Sequence, residues 1–189
     1  MMPLSILVPL LLQVGPGGGL PQAPLQIPRK KSGAVAQPKH EGMAAEGPLN
    51  ECLRIARAGQ TDAIALAEGL LAKAKTANDR SRARECHALA LAQTGEWAEA
   101  APMFLAARED AGQADQRARL AALAGNASLA AQDPAGALAA LELARSDAAQ
   151  GSDGKLRAAI AMDSARALVA LKRPTDAANA LTDARNFDP

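Results

Sequence analysis

Four alanines, Ala63, Ala100, Ala137 and Ala177, stand 37, 37 and 40 residues apart, each near the start of a stretch that reads as an amphipathic helix. This repetition restricts the fold more than any other feature of the chain. Each stretch opens after a break: Gln60-Thr61-Asp62, Thr94-Gly95, Asp133-Pro134 and Arg173-Pro174. Proline suits the first turn of a helix, where its missing N–H costs nothing. The clearest copy runs over residues 88–110. Ala88, Leu91 and Ala92 recur at helical spacing, and Thr94-Gly95 interrupts them. Trp97, Ala100, Ala101, Phe104 and Ala107 then form a second apolar stripe. So short a break turns the second helix back antiparallel to the first. The third copy continues through Leu138 to Leu141 and Ala144, the fourth through Ala178 to Leu181 and Ala184. Gly125 and Ala165 fall where the second copy has Ala88. One hairpin cannot bury its apolar face alone, whereas three or more stacked copies can. An Ala-rich chain forms some hairpins by composition alone, but four in near-constant register exceed that expectation.

Composition agrees with an all-α body. Hydrophobic residues make up 49% of the chain but aromatics only 2%. Ala and Leu dominate, and both favour helix, while the β-branched and aromatic residues that strands favour are scarce. The net charge of +1 is spread without long blocks of one sign. No nucleic-acid partner is expected, because that would require a basic face.

Ala88, then Gly95-x-Trp97-x-Glu99-Ala100, Phe104 and Ala107, resembles the tetratricopeptide repeat signature. The other copies mostly lack the turn glycine and the aromatics, and their spacing exceeds the usual period of about 34 residues. Asp188-Pro189 resembles the Asp-Pro that often closes such a repeat. The resemblance implies an all-α, right-handed solenoid of about four helix-turn-helix repeats over residues 48–189. It also implies a concave face lined by the first helix of each pair. Arg82, Glu85, Gln93, Arg119, Asn126 and Arg166 are the polar residues at the matching positions. They are the expected groove residues, with arginines offering planar forks of donors to a peptide or carboxylate. A solvated face without ligand is the alternative. The Lys/Asn clamp of chaperone-binding members is not reproduced, so chaperone tails are not implied. No polar capping helix is evident after the last copy, and a second copy of the chain, or docking to a membrane partner, would cover that end.

Cys52 and Cys86 fall on first helices of neighbouring copies, about one turn apart in height. A disulfide between them would close a loop of roughly 35 residues, worth about 4 kcal/mol by loop-closure entropy, and fits an oxidising compartment. It also resembles the pairing expected of exported bacterial repeat proteins of this kind. Two buried reduced thiols are the alternative.

Residues 1–19 resemble a secretory signal. A short apolar run, Leu4–Leu12, is followed by Gly15-Pro16-Gly17-Gly18-Gly19. No Lys or Arg precedes the run, and no A-x-A site follows it. The run falls short of the roughly 20 residues that cross a bilayer, so no integral span is expected. No cysteine follows to accept a lipid. Residues 20–47, rich in Pro, Gly and Gln, read as a flexible linker. Its Arg29-Lys30-Lys31 and Lys39 are read as a solvated spacer rather than a membrane contact, since three adjacent charges attract lipid only weakly.

No enzyme chemistry is expected. The GPGGG run lacks the Lys-Ser/Thr of a phosphate loop. The cysteines lack zinc-ligand spacing, and His87 beside Cys86 points elsewhere on a helix. Ser152-Asp153-Gly154-Lys155 fits S-x-x-K, but is expected in a loop rather than opening a buried helix. Asn126-Ala127-Ser128 is expected inside a helix and so is no glycosylation acceptor. No carboxylates stand out as an acid/base couple. No metal or cofactor is expected. The leading expectation is a periplasmic or cell-envelope interaction scaffold that binds a protein or peptide. The alternatives are a cytoplasmic helical-repeat adaptor, and a helical accessory domain or spacer without a groove ligand.

Overall fold

The computed structural model describes residues 47–187. The expected signal segment, the linker up to residue 46 and the closing Asp188-Pro189 lie outside the described residues. Within them the fold is all-α: α1 (Pro48–Arg57), α2 (Ala63–Lys73), α3 (Ala77–Thr94), α4 (Trp97–Glu109), α5 (Ala114–Ala130), α6 (Pro134–Ala148), α7 (Gly154–Ala170) and α8 (Pro174–Phe187). Each helix packs on the next in chain order. The first helices also meet, α1 against α3 and α5 against α7.

The four hairpins share one turn geometry. The N–H groups of Gln60, Glu96, Asp133 and Arg173 reach back to the carbonyls of Ile55, Leu91, Ser128 and Leu168, at 3.0, 2.9, 2.9 and 2.8 Å. This six-to-one bond ends the first helix of each pair and satisfies a carbonyl that would otherwise lack a partner. It requires a left-handed residue just before the bonded N–H. Gly59 and Gly95 supply it without strain, but Gln132 and Lys172 adopt it with φ of 63° and 59°. The copies that lack the turn glycine thus make the same turn, at a cost of about 1–2 kcal/mol each. The starts of the second helices are set locally. Pro134 opens α6 and Pro174 opens α8, and the Asp133 carboxylate accepts from Gly136 N at 2.9 Å. Helix α3 has a full capping box, with Asp79 N donating to Thr76 Oγ1 and Thr76 N to Asp79 Oδ2.

The core is built from small residues at the repeated positions. Ala63, Ala100, Ala137 and Ala177 are all buried, as are Ala107, Ala144 and Ala184. Phe104 and Leu141, 37 residues apart, are the bulky plugs of the two middle pairs and have 2% and 0% of their surface exposed. Leu181, the next in that register, is instead 50% exposed. Phe104 and Leu141 are each covered by the following pair, and among the described residues none follows α8. Trp97, read above as part of an apolar stripe, is also partly exposed, since it sits on the first turn of α4 at the mouth of its hairpin.

Gly125 permits the closest helix approach. A Cβ built there would lie 2.6 Å from Leu141 Cγ and 3.2 Å from the Ala137 carbonyl oxygen. Gly125→Ala gains about 1 kcal/mol of helix propensity but must displace a fully buried Leu or the α6 backbone, costing about 1–3 kcal/mol. A net loss of stability is expected in urea unfolding. A stabilised Gly125→Ala variant would contradict this close packing.

The Ser152–Lys155 stretch differs from expectation in one respect. Asp153 caps α7, accepting from Leu156 N at 3.0 Å, so Gly154 and Lys155 open that helix rather than lying in a loop. Ser152 and Lys155 are both exposed, and the helix start they flank is not a buried one. Asn126-Ala127-Ser128 lies inside α5, with Ser128 buried.

Candidate functional site: the first-helix face

Polar contacts join each first helix to the next. Arg82 Nη2 on α3 donates to Asn50 Oδ1 on α1. Glu85 on α3 is 3% exposed and is held by Arg119 of α5 at 3.0 Å and by Arg57 of α1 at 3.9 Å. Asn126 Nδ2 on α5 donates to Asp163 Oδ2 on α7 at 2.7 Å. Arg166 of α7 closes the set, donating to Asn126 Oδ1 at 3.2 Å and Asp163 Oδ1 at 3.0 Å.

Five of the six expected groove residues take part in these contacts: Arg82 with Asn50, Glu85 with Arg119, and Asn126 with Arg166. Arg82, Glu85 and Arg119 tie α1, α3 and α5 together. Glu85 is too buried to meet a ligand, and Arg119 is drawn toward it. Asn126 and Arg166 are brought together by Asp163, which the sequence reading did not single out. Gln93 stands apart, exposed near the end of α3 beside the Gly59 turn. The place of these contacts is legible in the repeat: Arg82 and Arg119 share one register position, Asn126 and Arg166 another. Asp163 had no such signal, since the same position holds Cys86 and Leu123 in the earlier copies.

Next to Asn126 and Arg166 the surface dips. A depression of about 410 Å³ is lined by Leu89 and Ala92 of α3, Trp97 and Phe104 of α4, and Leu123, Ala127 and Leu129 of α5. Asn126 and Arg166 form its polar edge. Trp97 keeps 38% of its surface open here. Apolar walls with a half-exposed indole and an amide–guanidinium edge can hold an apolar side chain and bond its backbone.

Cys52 and Cys86 are joined in a disulfide, with Cα atoms 5.9 Å apart. Both are fully buried, among Leu53, Ala56, Ala63 and Ala90. The bond ties α1 to α3 beneath the polar contacts.

On the opposite side, salt bridges recur with the repeat. Asp110, just past α4, takes Arg80 at 2.8 Å and also Arg84. Asp147 near the end of α6 is 3% exposed and takes Arg108 of α4 at 2.7 Å and Arg117 of α5 at 3.2 Å. Burial opposes the charge on Arg108, but Asp147 and Glu109 outweigh it and raise its pKa above the usual value. Ser81 Oγ, fully buried, donates to the Ala107 carbonyl at 2.8 Å and adds a neutral tie between α3 and α4. His87 is half-buried on α3. No helix among the described residues is long and apolar enough to cross a membrane. No cluster of three or more His, Cys, Asp or Glu that could hold a metal is found among them.

Compared with protein-family models, curated proteins and solved structures, the chain matches none.

Proposed function

We propose that this chain is a protein–protein interaction scaffold. In this reading its four hairpins form a tetratricopeptide-like right-handed solenoid, and its first-helix face takes a partner protein or peptide. The observation that carries the reading is the depression around Trp97. It combines a half-exposed aromatic, aliphatic walls and a polar edge, the arrangement that interaction hot spots share. The repeated turns and the buried alanine register support the repeat architecture. The disulfide supports an oxidising location, the periplasm or cell envelope, because cytosolic thiols are kept reduced.

Placement of a photo-crosslinker at Ala130, an exposed residue on the rim of the depression, should trap a discrete partner that one at Gln150, on another surface, does not. Trp97→Ala should then weaken that partner by at least tenfold, as loss of a hot spot of about 2 kcal/mol implies. Helix content and Tm should stay near wild type. A partner that binds Trp97→Ala as tightly as wild type would defeat the reading. Export is tested separately by intact mass from a periplasmic extract, where loss of the leading apolar segment is expected.

A further inference from the structure

The salt bridges opposite the first-helix face follow the repeat, and the last of them lacks its acid. In the third pair, Asp147 is the fourteenth residue counted from the start of α6. It is held by Arg117, the fourth residue of α5, and by Arg108, the twelfth residue of the preceding second helix, α4. One pair earlier, Asp110 and Arg80 occupy the same positions and make the same bond, with Arg84 as the second donor. One pair later, both arginines recur: Arg157 is the fourth residue of α7 and Arg145 the twelfth of α6. The position of the acid, the fourteenth of α8, holds Phe187.

The two arginines are therefore set for a carboxylate that the described residues do not supply. Arg157 Nε, whose counterpart in Arg117 holds Asp147, donates instead to the Ala148 carbonyl at 2.9 Å, and its Nη2 donates to the Gly151 carbonyl at 2.5 Å, which leaves Nη1 for a ligand. Arg117 likewise donates to the Gly112 carbonyl at 3.1 Å while also holding Asp147. Arg145 makes no ion pair among the described residues. Both Arg145 and Arg157 line a cleft of about 630 Å³ between α6 and α8, floored by α7. Ile160 and Leu168 close the floor but are only 1% and 7% exposed, so the apolar surface open to a ligand is Leu138 and Ala180 on the walls, both half-buried, and Phe187, 41% exposed.

Other charges in the cleft narrow the choice of ligand. Asp176 is taken by Arg173 at 2.7 Å. Glu142 and Asp183 also line the cleft, and neither is paired with Arg145 or Arg157. Counted together, the lining cations and anions balance, so the cleft does not attract a polyanion. The positive spot is confined to the arginine pair at one end. Eleven residues of α7 separate Arg157 from Leu168, about 16 Å at 1.5 Å per residue. An extended chain covers that length in about five residues. The size is ordinary for a ligand cleft with an apolar lining and a few placed polar groups.

The geometry points to a second binding site, for an apolar peptide segment of a partner with an Asp or Glu side chain at one end. The carboxylate meets Arg145 and the remaining Nη1 of Arg157, at the register position that Asp147 holds between Arg108 and Arg117, and the apolar residues lie along Leu138, Ala180 and Phe187. This site is on a different surface from Trp97 and does not depend on the function proposed above.

The test uses the full 189-residue chain and terminally blocked pentapeptides, acetyl-Asp-Leu-Ala-Leu-Leu-amide and acetyl-Leu-Leu-Ala-Leu-Asp-amide. Their Asn counterparts and sodium acetate serve as controls. Binding is followed by calorimetry and by the side-chain Nε–Hε signals of Arg145 and Arg157. One of the Asp peptides is expected to bind at least tenfold tighter than its Asn counterpart and than acetate, and to shift both arginine signals. Arg145→Gln should abolish that preference without lowering Tm, because Arg145 is exposed. Phe187→Asp should supply the missing acid in cis, shifting the same signals, raising Tm and blocking the peptide. Asp183→Asn should tighten binding by removing the nearest unpaired acid on the α8 wall. Equal binding of Asp and Asn peptides, or binding by acetate as strong as by the peptide, would overturn the proposal. So would an Asp188→Asn variant that alone shifts both arginine signals and lowers Tm, since the seat would then be filled by the chain's own next residue.

Discussion

Replacing Asp147 with Ala is expected to cost about 3–5 kcal/mol, the range for removing one partner of a buried ion pair. Asp147 is almost wholly enclosed, and it pairs with two arginines at once, Arg108 and Arg117, from two different helices. Its loss leaves Arg108, only 15% exposed at the side chain, without its main counter-charge. Urea unfolding of Asp147→Ala should show the loss directly. Asp147→Asn should recover only a small part, since an amide can accept from one arginine but carries no charge. The triple variant Arg108→Met, Arg117→Met and Asp147→Leu should regain most of the stability, because an apolar replacement removes the desolvation cost together with the pairing. A change below about 1 kcal/mol in Asp147→Ala would place this bridge among the weak surface pairs.

Removing the disulfide should have an effect of similar size at the other end of the stack. Loop-closure entropy assigns about 4 kcal/mol to a crosslink spanning the 34 residues between Cys52 and Cys86. The Cys52→Ser/Cys86→Ser double variant should therefore lose about 4 kcal/mol of protection against opening in its leading pair. The loss should be local. Helix α1 has only ten residues, too few to persist alone in water, and it is held by packing on α2 and α3 and by the bond. Amide exchange in α1 and α2 should accelerate by far more than in α5–α8. Uniform acceleration along the chain would show that the pairs unfold as one unit instead. Because both sulfurs are fully buried, alkylation after mild reduction should report the rate at which α1 opens.

Much of the fold was written in the alanines. Their near-constant spacing placed every second helix, and each of the four lies buried where the pattern requires. Breaks carrying Pro or Gly gave the helix starts to within a residue. The turns of the third and fourth hairpins were harder to read, because Gln132 and Lys172 adopt the left-handed conformation that glycine normally announces. Trp97 and Leu181 were read as stripe residues because periodicity gives a direction around one helix and not the depth of cover over it. The polar face was legible in position but not in partnership. Register identified Arg82, Glu85, Arg119, Asn126 and Arg166 as neighbours on first helices. It did not show that Glu85 would be enclosed, nor that Asp163 would bind Asn126 and Arg166 together, since those depend on side-chain reach across three helices. The arginine-to-aspartate bridges are equally periodic, but charges at helix ends are usually solvated, so their period alone does not announce a buried pair.

The ties between successive pairs weaken along the chain. The first two pairs are joined by a covalent bond. The second and third share the enclosed Arg108–Asp147 bridge and the Glu85–Arg119 pair. Between the third and fourth, the amide and guanidinium of Asn126 and Arg166 meet Asp163 near solvent, and Arg157 donates to the Ala148 and Gly151 carbonyls. A stack tied in this order has graded compliance. Among the described pairs the first junction is fixed covalently, and the last is held by hydrogen bonds, ion pairs and packing alone. A load applied to α7 and α8 would bend the last junction before it disturbed the first, so shape adaptation to whatever the stack meets is concentrated at its trailing end.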